Sequence, residues 1–243
     1  MTDDLSLIIK NFDKTGEIFA KGNRNTIKNF TYNNQIINVK SFKIPILING
    51  FIYSFLRKSK ARRSFENANF LIEKGIGTPK PIAFFETKSF GFLRQSYYVS
   101  EQLNPDFLFR SVFEDNPKLD LDKMLRGIAR FTFKLHENGI EFLDHSPGNT
   151  LVTVDSNGNY QFYLVDLNRM NFHQSMSFET RIKNLSRLTP GKLMVEVICN
   201  EYAKLYKESE KKVFDALWKE IINLHIKLDR KKLIKKKLMF WKQ

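Results

Sequence analysis

The sequence predicts an α+β fold in two lobes. A small antiparallel sheet with one helix occupies residues 1–100, a mostly helical lobe spans 101–226, and a basic amphipathic tail covers 227–243. Three observations lead there. β-Branched and aromatic runs separated by turn residues are concentrated before residue 101. A strong helical periodicity follows, with Asp120 at its start and Asn138-Gly139 at its end. Two apolar arms then flank an Asn-Gly turn, the signature of a β-hairpin.

Taken in order, the stretch around Ile27 to Tyr32 and the run Ile36-Ile37-Asn38-Val39-Lys40-Ser41-Phe42 read as strands joined by a turn at Asn33-Asn34, so that two or three antiparallel strands open the fold. Lys60 to Lys74 reads as a helix with Ala61, Phe65, Ala68 and Ile72 at helical spacing. Gly75 stops it, and Thr78-Pro79-Lys80-Pro81 breaks the chain. Two further strands, Ile82 to Phe85 and Ser96 to Val99, precede Glu101-Gln102-Leu103, the start of the connector to the second lobe. There Asp120 caps a helix carrying Leu121, Met124, Leu125, Ile128 and Leu135 on one face. Thr150 to Val154 and Tyr160 to Val165 flank the turn Asp155-Ser156-Asn157-Gly158-Asn159. A short helix near Arg181 to Leu188 and one long helix from about Leu193 to Leu224 complete the chain.

With 243 residues and 42% hydrophobic content, the chain has enough apolar surface for a substantial core. Cys199 is the one cysteine, which excludes an internal disulfide, and Met1-Thr2-Asp3-Asp4 lacks the basic-then-apolar start of a signal peptide, so a reducing cytoplasm is expected. The apolar stretch 44–56 is interrupted by Pro45, Asn49 and Gly50, and is shorter than the roughly 20 residues of a membrane span. His136, His145, His173 and His225 have no zinc-ligand spacing. The formal charge of +14 favours polyanionic partners. Residues 227–243 hold eight basic side chains against Asp229, half of that surplus, interleaved with Leu233, Ile234, Leu238 and Trp241. That is the pattern of a helix lying on anionic lipid, with a solvated C-terminal helix as the competing reading. The 23 phenylalanines read as core, and no basic strand with interleaved aromatics occurs, so no nucleic-acid partner is expected. The sequence leaves the oligomeric state open.

Chemistry is carried by Leu143-Asp144-His145-Ser146-Pro147-Gly148-Asn149, followed seventeen residues later by Asp166-Leu167-Asn168. Phosphoryl transfer needs a carboxylate to take the acceptor proton, and an amide and a second carboxylate to hold Mg²⁺; D-x-x-x-x-N followed by a hairpin ending in Asp supplies all three in protein kinases. Asp144, Asn149 and Asp166 fit these roles. A polar turn is the plainer reading of the loop alone. The helix before it and the hairpin after it favour chemistry.

Val39-Lys40-Ser41-Phe42-Lys43, Ala61-Arg62-Arg63-Ser64-Phe65-Glu66-Asn67-Ala68, Gly75 to Ala83, the Asp144 loop and Val165-Asp166-Leu167-Asn168-Arg169 together resemble the lipopolysaccharide core kinases of the Kdo/WaaP family over residues 36–190. The resemblance implies a bilobal, protein-kinase-like fold and an ATP- and Mg²⁺-dependent kinase acting on an inner-core Kdo or heptose hydroxyl. Its acceptor would be lipid-linked, and its place the cytoplasmic face of the inner membrane of a Gram-negative bacterium. Carried over by residue, Lys40 binds the nucleotide phosphates and Glu66 pairs with it. Gly22 and Arg24 lie on the reduced phosphate loop, Glu101 and Leu103 on the nucleotide-binding connector, and Asn149 and Asp166 on the metal.

Departures from the protein kinases keep alternatives open. Phe142 stands where they carry His, Asp-Leu-Asn replaces Asp-Phe-Gly, and Lys21-Gly22-Asn23-Arg24-Asn25 holds a single glycine. Lys43 competes with Lys40 as the nucleotide lysine, an exposed strand-edge charge is the plain reading of either, and Glu66 reads equally as a solvated helix residue. The absence of Ala-Pro-Glu favours a non-protein acceptor over an atypical protein kinase. The poor glycine loop and basic tail leave a pseudokinase or membrane-surface adaptor as the second rival.

Overall fold

The computed structural model of the chain describes residues 2–22, 25–43, 58–89, 92–114, 116, 118–188 and 191–240. Arg24 and the apolar stretch 44–56 lie outside the described residues. The chain divides into two compact units, residues 1–105 with 163–169 and residues 106–162 with 170–243. The segment that carries Asp166 belongs to the first unit.

The first unit is built on a five-stranded antiparallel sheet. Its strands are β1 (Glu17–Lys21), β2 (Asn25–Tyr32), β3 (Gln35–Lys43), β4 (Pro81–Ser89) and β5 (Phe92–Glu101), in the order β1-β2-β3-β5-β4. Asn33 and Asn34 both take positive φ, 48° and 60°, which Asn tolerates and a two-residue hairpin of the primed type requires. Helix α1 (Thr2–Lys10), which sequence patterning did not foresee, puts Leu5 and Ile9 into a core with Phe12, Ile37, Val39, Tyr97 and Val99. The carbonyls beyond its end are satisfied by a buried lysine: Lys28 Nζ donates to Phe12 O at 2.6 Å and Thr15 O at 2.9 Å. Helix α2 (Lys60–Glu73) begins at Ser59, whose side chain accepts from Arg62 N, and buries Ala61, Ser64, Ala68 and Leu71.

The second unit gathers helices around one core. Helix α3 (Leu121–Glu137) begins at Asp120, whose carboxylate accepts from Lys123 N at 3.0 Å, as expected. Its apolar face buries Met124, Leu125, Ile128 and Leu135, each contributing about 1.5–3 kcal/mol relative to exposure. The chain turns at Gly139, with φ +68°, into β7 (Ile140–Phe142), which pairs antiparallel with β10 (Met170–Phe172). A second small sheet, in the order β6-β8-β9, holds β6 (Phe107–Leu108) beside β8 (Thr150–Val154) and β9 (Tyr160–Leu164). Asp155 closes the hairpin by accepting from the amides of Asn157 and Asn159, and Gly158 takes φ +72°.

Helix α4 (Phe178–Leu185) follows, capped by Ser177. Beyond it the expected single long helix is two, α5 (Lys192–Tyr206) and α6 (Glu210–Phe240). Lys207 breaks them apart in a left-handed conformation, φ +55°, and Glu208 N closes the end of α5 on Ala203 O. The basic tail is therefore not a separate segment: up to Phe240 it continues α6, whose first turns bury Val213, Leu217 and Ile221. Among the described residues no helix is long and apolar enough to cross a membrane.

Candidate active site

In the first unit the lysine and the carboxylate expected at a nucleotide site come together. Lys40 stands on β3 opposite Ile27 and Tyr98, so its side chain leaves a central strand and is only 13% exposed. Its Nζ reaches Asp166 Oδ1 at 2.9 Å and lies 5.3 Å from the centre of the Phe42 ring. Lys43, three residues on and therefore on the opposite face, is exposed. Of the two lysines, Lys40 is the one that meets the Asp166 carboxylate.

Asp166 has φ +62°, a conformation that costs most L-residues roughly 1–2 kcal/mol and that Asp tolerates better than most. Its segment is held by three hydrogen bonds within the first unit. Asn67 Nδ2 donates to Leu167 O at 2.6 Å, Thr78 Oγ1 to Leu164 O at 2.8 Å, and Asn168 Nδ2 to Asp166 Oδ1 at 2.6 Å. Oδ1 is thereby committed to Lys40 and Asn168. Oδ2 has no partner among the described residues.

Glu66 differs from its expected role. Its carboxylate takes Lys58 at 2.8 Å and Arg62 at 2.9 Å, so the partner of Lys40 is Asp166 and not Glu66. Burial pushes the Glu66 carboxyl up, but the hydrogen bonds from Lys58 and Arg62 outweigh it and hold the group below its ordinary value. The residue of α2 that touches the Asp166 segment is the next one, Asn67. It was visible in the Arg-Ser-Phe-Glu-Asn-Ala run, but its role was masked by the charged neighbour.

Gly22 directly follows β1, and its N–H donates to the carbonyl of Asn25, the first residue of β2, at 2.9 Å. At the other end of the sheet Glu101 N donates to Lys80 O, Gln102 N to Ile36 O, and Gln102 Nε2 to Leu103 O. The Leu103 N–H has no partner among the described residues, which leaves an amide donor on the connector.

In the second unit the loop 143–149 is braced from inside and from below. Asn149 Nδ2 donates to Asp144 O at 2.9 Å, which leaves Oδ1 as the amide's acceptor, and Pro147–Asn149 form a 3₁₀ turn. Beneath the loop Asn184 Nδ2 donates to Phe142 O at 2.8 Å. The same amide's oxygen meets His136 Nε2 at 3.1 Å, and His136 Nδ1 meets Tyr202 Oη at 2.7 Å. All of these are buried, and burial pushes His136 down to about 4, so it is neutral at pH 7. His145 is fully buried too, with Nε2 3.0 Å from Thr132 Oγ1, and burial lowers it to about 3. It is a packing residue of the loop, as is Phe142.

Each unit brings a hard oxygen atom of the kind magnesium takes, the Asp166 carboxylate in the first and the Asn149 amide in the second. No cluster of three or more His, Cys, Asp or Glu occurs among the described residues.

The model of the lipopolysaccharide kinase (Kdo/WaaP) family matches residues 37–212. Among solved structures, WaaP in complex with acyl carrier protein is similar at a TM-score of 0.62 and 15% identity, covering 92% of each chain, a likeness of fold. No curated protein matches the chain.

Proposed function

Since the chain belongs to the lipopolysaccharide kinase (Kdo/WaaP) family and is therefore a phosphotransferase acting on a sugar hydroxyl, we propose that its donor is Mg·ATP and its acceptor an inner-core Kdo or heptose at the cytoplasmic face of the membrane. The observation that carries the reading is the 2.9 Å contact between Lys40 and Asp166. In kinases the strand lysine grips the α and β phosphates, and the carboxylate at the hairpin end serves the metal bridging β and γ; both act on one triphosphate, so they must be neighbours.

The remaining roles follow by residue. Asp144 orients the acceptor hydroxyl and takes its proton. Lys40 neutralises phosphate charge, the turn that carries Gly22 and Arg24 would cover the phosphates, and Leu103 N–H with the Glu101 carbonyl meets the adenine edge. Asn149 and Asp166 would hold Mg²⁺, which when bound supplies charge neutralisation on the β and γ phosphates. Glu66 acts at one remove, restraining Arg62 on α2 and Lys58 just before it. Catalysis is mostly placement and electrostatic stabilisation.

The test is ADP release by the purified protein over Kdo-lipid A, heptosylated core, free sugars and a generic peptide. Asp144→Asn is expected to cut turnover by about 10²–10⁴-fold with little change in the KM for ATP. Full activity in that variant would remove the base assignment, and phosphate on the peptide alone would remove the sugar acceptor.

Attachment to the membrane is proposed for the C-terminal part of α6, where Ile222, Ile226 and Leu233 are exposed at helical spacing beside Lys227, Arg230, Lys231 and Lys232. Each basic side chain near an anionic surface contributes about 1 kcal/mol, so Lys231→Ala with Lys232→Ala should weaken binding to phosphatidylglycerol vesicles by about 30-fold. Equal sedimentation of variant and wild type with those vesicles would exclude the proposal.

A further inference from the structure

Arg110 lies outside every role assigned so far. It belongs to the 3₁₀ turn Phe109–Phe113, where Phe109 and Val112 are buried and Arg110 is exposed. It has no hydrogen-bond or ion-pair partner among the described residues. Yet it is not splayed into solvent. A Cβ built on Gly148 would meet Arg110 Nη2 at 3.0 Å and its Cζ and Nε at 3.8 Å, so the guanidinium lies against the glycine of the Asp144–Asn149 loop. Gly148 does not take positive φ, so the backbone conformation does not demand glycine there. What glycine provides is room for the cation.

An arginine held beside a catalytic loop with its donors uncommitted is arranged for a bidentate anion, because the planar fork matches a carboxylate or phosphate and charge-assisted hydrogen bonds are the stronger kind. Three residues on, Phe113 is 47% exposed. Side chains at i and i+3 eclipse on a 3₁₀ helix, so Phe113 presents a ring on the same side as Arg110. A cation and an apolar ring side by side match a sugar that carries an acidic group.

We propose that Arg110, seated on Gly148, binds the anionic substituent of the acceptor sugar, a carboxylate or a phosphate, with Phe113 against the sugar's apolar face. This rests on the sugar-kinase reading above and adds to it the residue that selects an acidic acceptor. Arg110 is a substrate-binding residue and takes no part in proton transfer.

Isothermal titration of the full chain with free Kdo, with Kdo whose carboxyl is reduced to the alcohol, and with a heptose phosphate reads the site without turnover. The wild type should bind one of the two acidic sugars about 10- to 100-fold more tightly than the reduced one, each tenfold being about 1.4 kcal/mol. Preference for Kdo assigns a carboxylate, and preference for the heptose phosphate assigns a phosphate. Arg110→Ala should lose the preference and Arg110→Lys should recover part of it. Gly148→Ala should weaken it at an unchanged melting temperature, since the atom displaced is the end of a flexible side chain. In steady-state assays Arg110→Ala should raise the KM for the acceptor and leave that for ATP alone.

Retention of the preference by Arg110→Ala, no preference in the wild type, or a rise confined to the KM for ATP would each overturn the assignment. Binding with the expected preference but no ADP release with any acceptor would support Arg110 while removing the kinase reading.

Discussion

Asp166→Asn and Asp166→Ala should both lose phosphoryl transfer by on the order of a thousandfold, since a metal-held charge clamp contributes several kcal/mol to the transition state. They should part company in stability. Asp166 is one of four non-glycine residues with positive φ among the described residues, and Asn accepts that conformation nearly as well as Asp, whereas Ala is penalised there by roughly 1–2 kcal/mol. Asn also keeps an oxygen for Lys40 Nζ and for Asn168 Nδ2, which Ala abandons beside a lysine only 13% exposed. The pair thus separates carboxylate chemistry from backbone fit: thermal melts should show Asn close to wild type and Ala clearly lower, with both silent in ADP release. Substantial turnover by Asp166→Asn would exclude a metal-holding role for the carboxylate.

Gly139→Ala is expected to be the most damaging small substitution in the second unit. Its φ of +68° alone costs an alanine roughly 1–2 kcal/mol. In addition, a Cβ there would fall 1.9 Å from His173 O, a backbone atom that cannot swing aside, because His173 N donates to Gly139 O at 2.8 Å and fixes the two strands against each other. Overpacking against a fixed neighbour costs about 1–3 kcal/mol more. A total near 3 kcal/mol corresponds to a drop of about 6–12 °C in the melting temperature. Gly139 joins α3 to β7, so relaxation of the clash would also move Phe142 and the loop after it. A melting temperature within 2 °C or so of wild type would mean that the turn is not held as tightly as the His173 contact implies.

Much of this was legible in the chain, and the parts that were share a physical cause. Asp120, Asn138-Gly139, Asn33-Asn34 and Asn157-Gly158 act on their own backbone within four residues, so sequence neighbours fix their outcome, and each helix end or turn forms where its residues point. Family membership follows from the same kind of contiguous pattern. What sequence could not supply were pairings across the fold. Lys40 finds Asp166 from 126 positions away, while Glu66 is satisfied locally by Arg62 four residues earlier on the same helix. A carboxylate with a cation at that spacing has a partner before any tertiary contact forms. Helix α1 escaped because nine residues give only about two and a half turns of periodicity. The break at Lys207 escaped because a lysine in a left-handed conformation carries no local signature; Ser209, the residue just before α6, accepts from Val213 N and marks the new start.

The uninterrupted course of α6 bears on how an acceptor embedded in lipid would be met. A disordered tether would leave the enzyme free to tumble beneath its anchor, with reach set by chain statistics. Thirty-one helical residues instead form a spar about 46 Å long, rooted in the second unit through Val213, Leu217 and Ile221. Whatever grips the far end of that spar would fix the azimuth as well as the height of the unit that bears Asp144, so the angle of approach to an acceptor held in a bilayer would be written into helical phase.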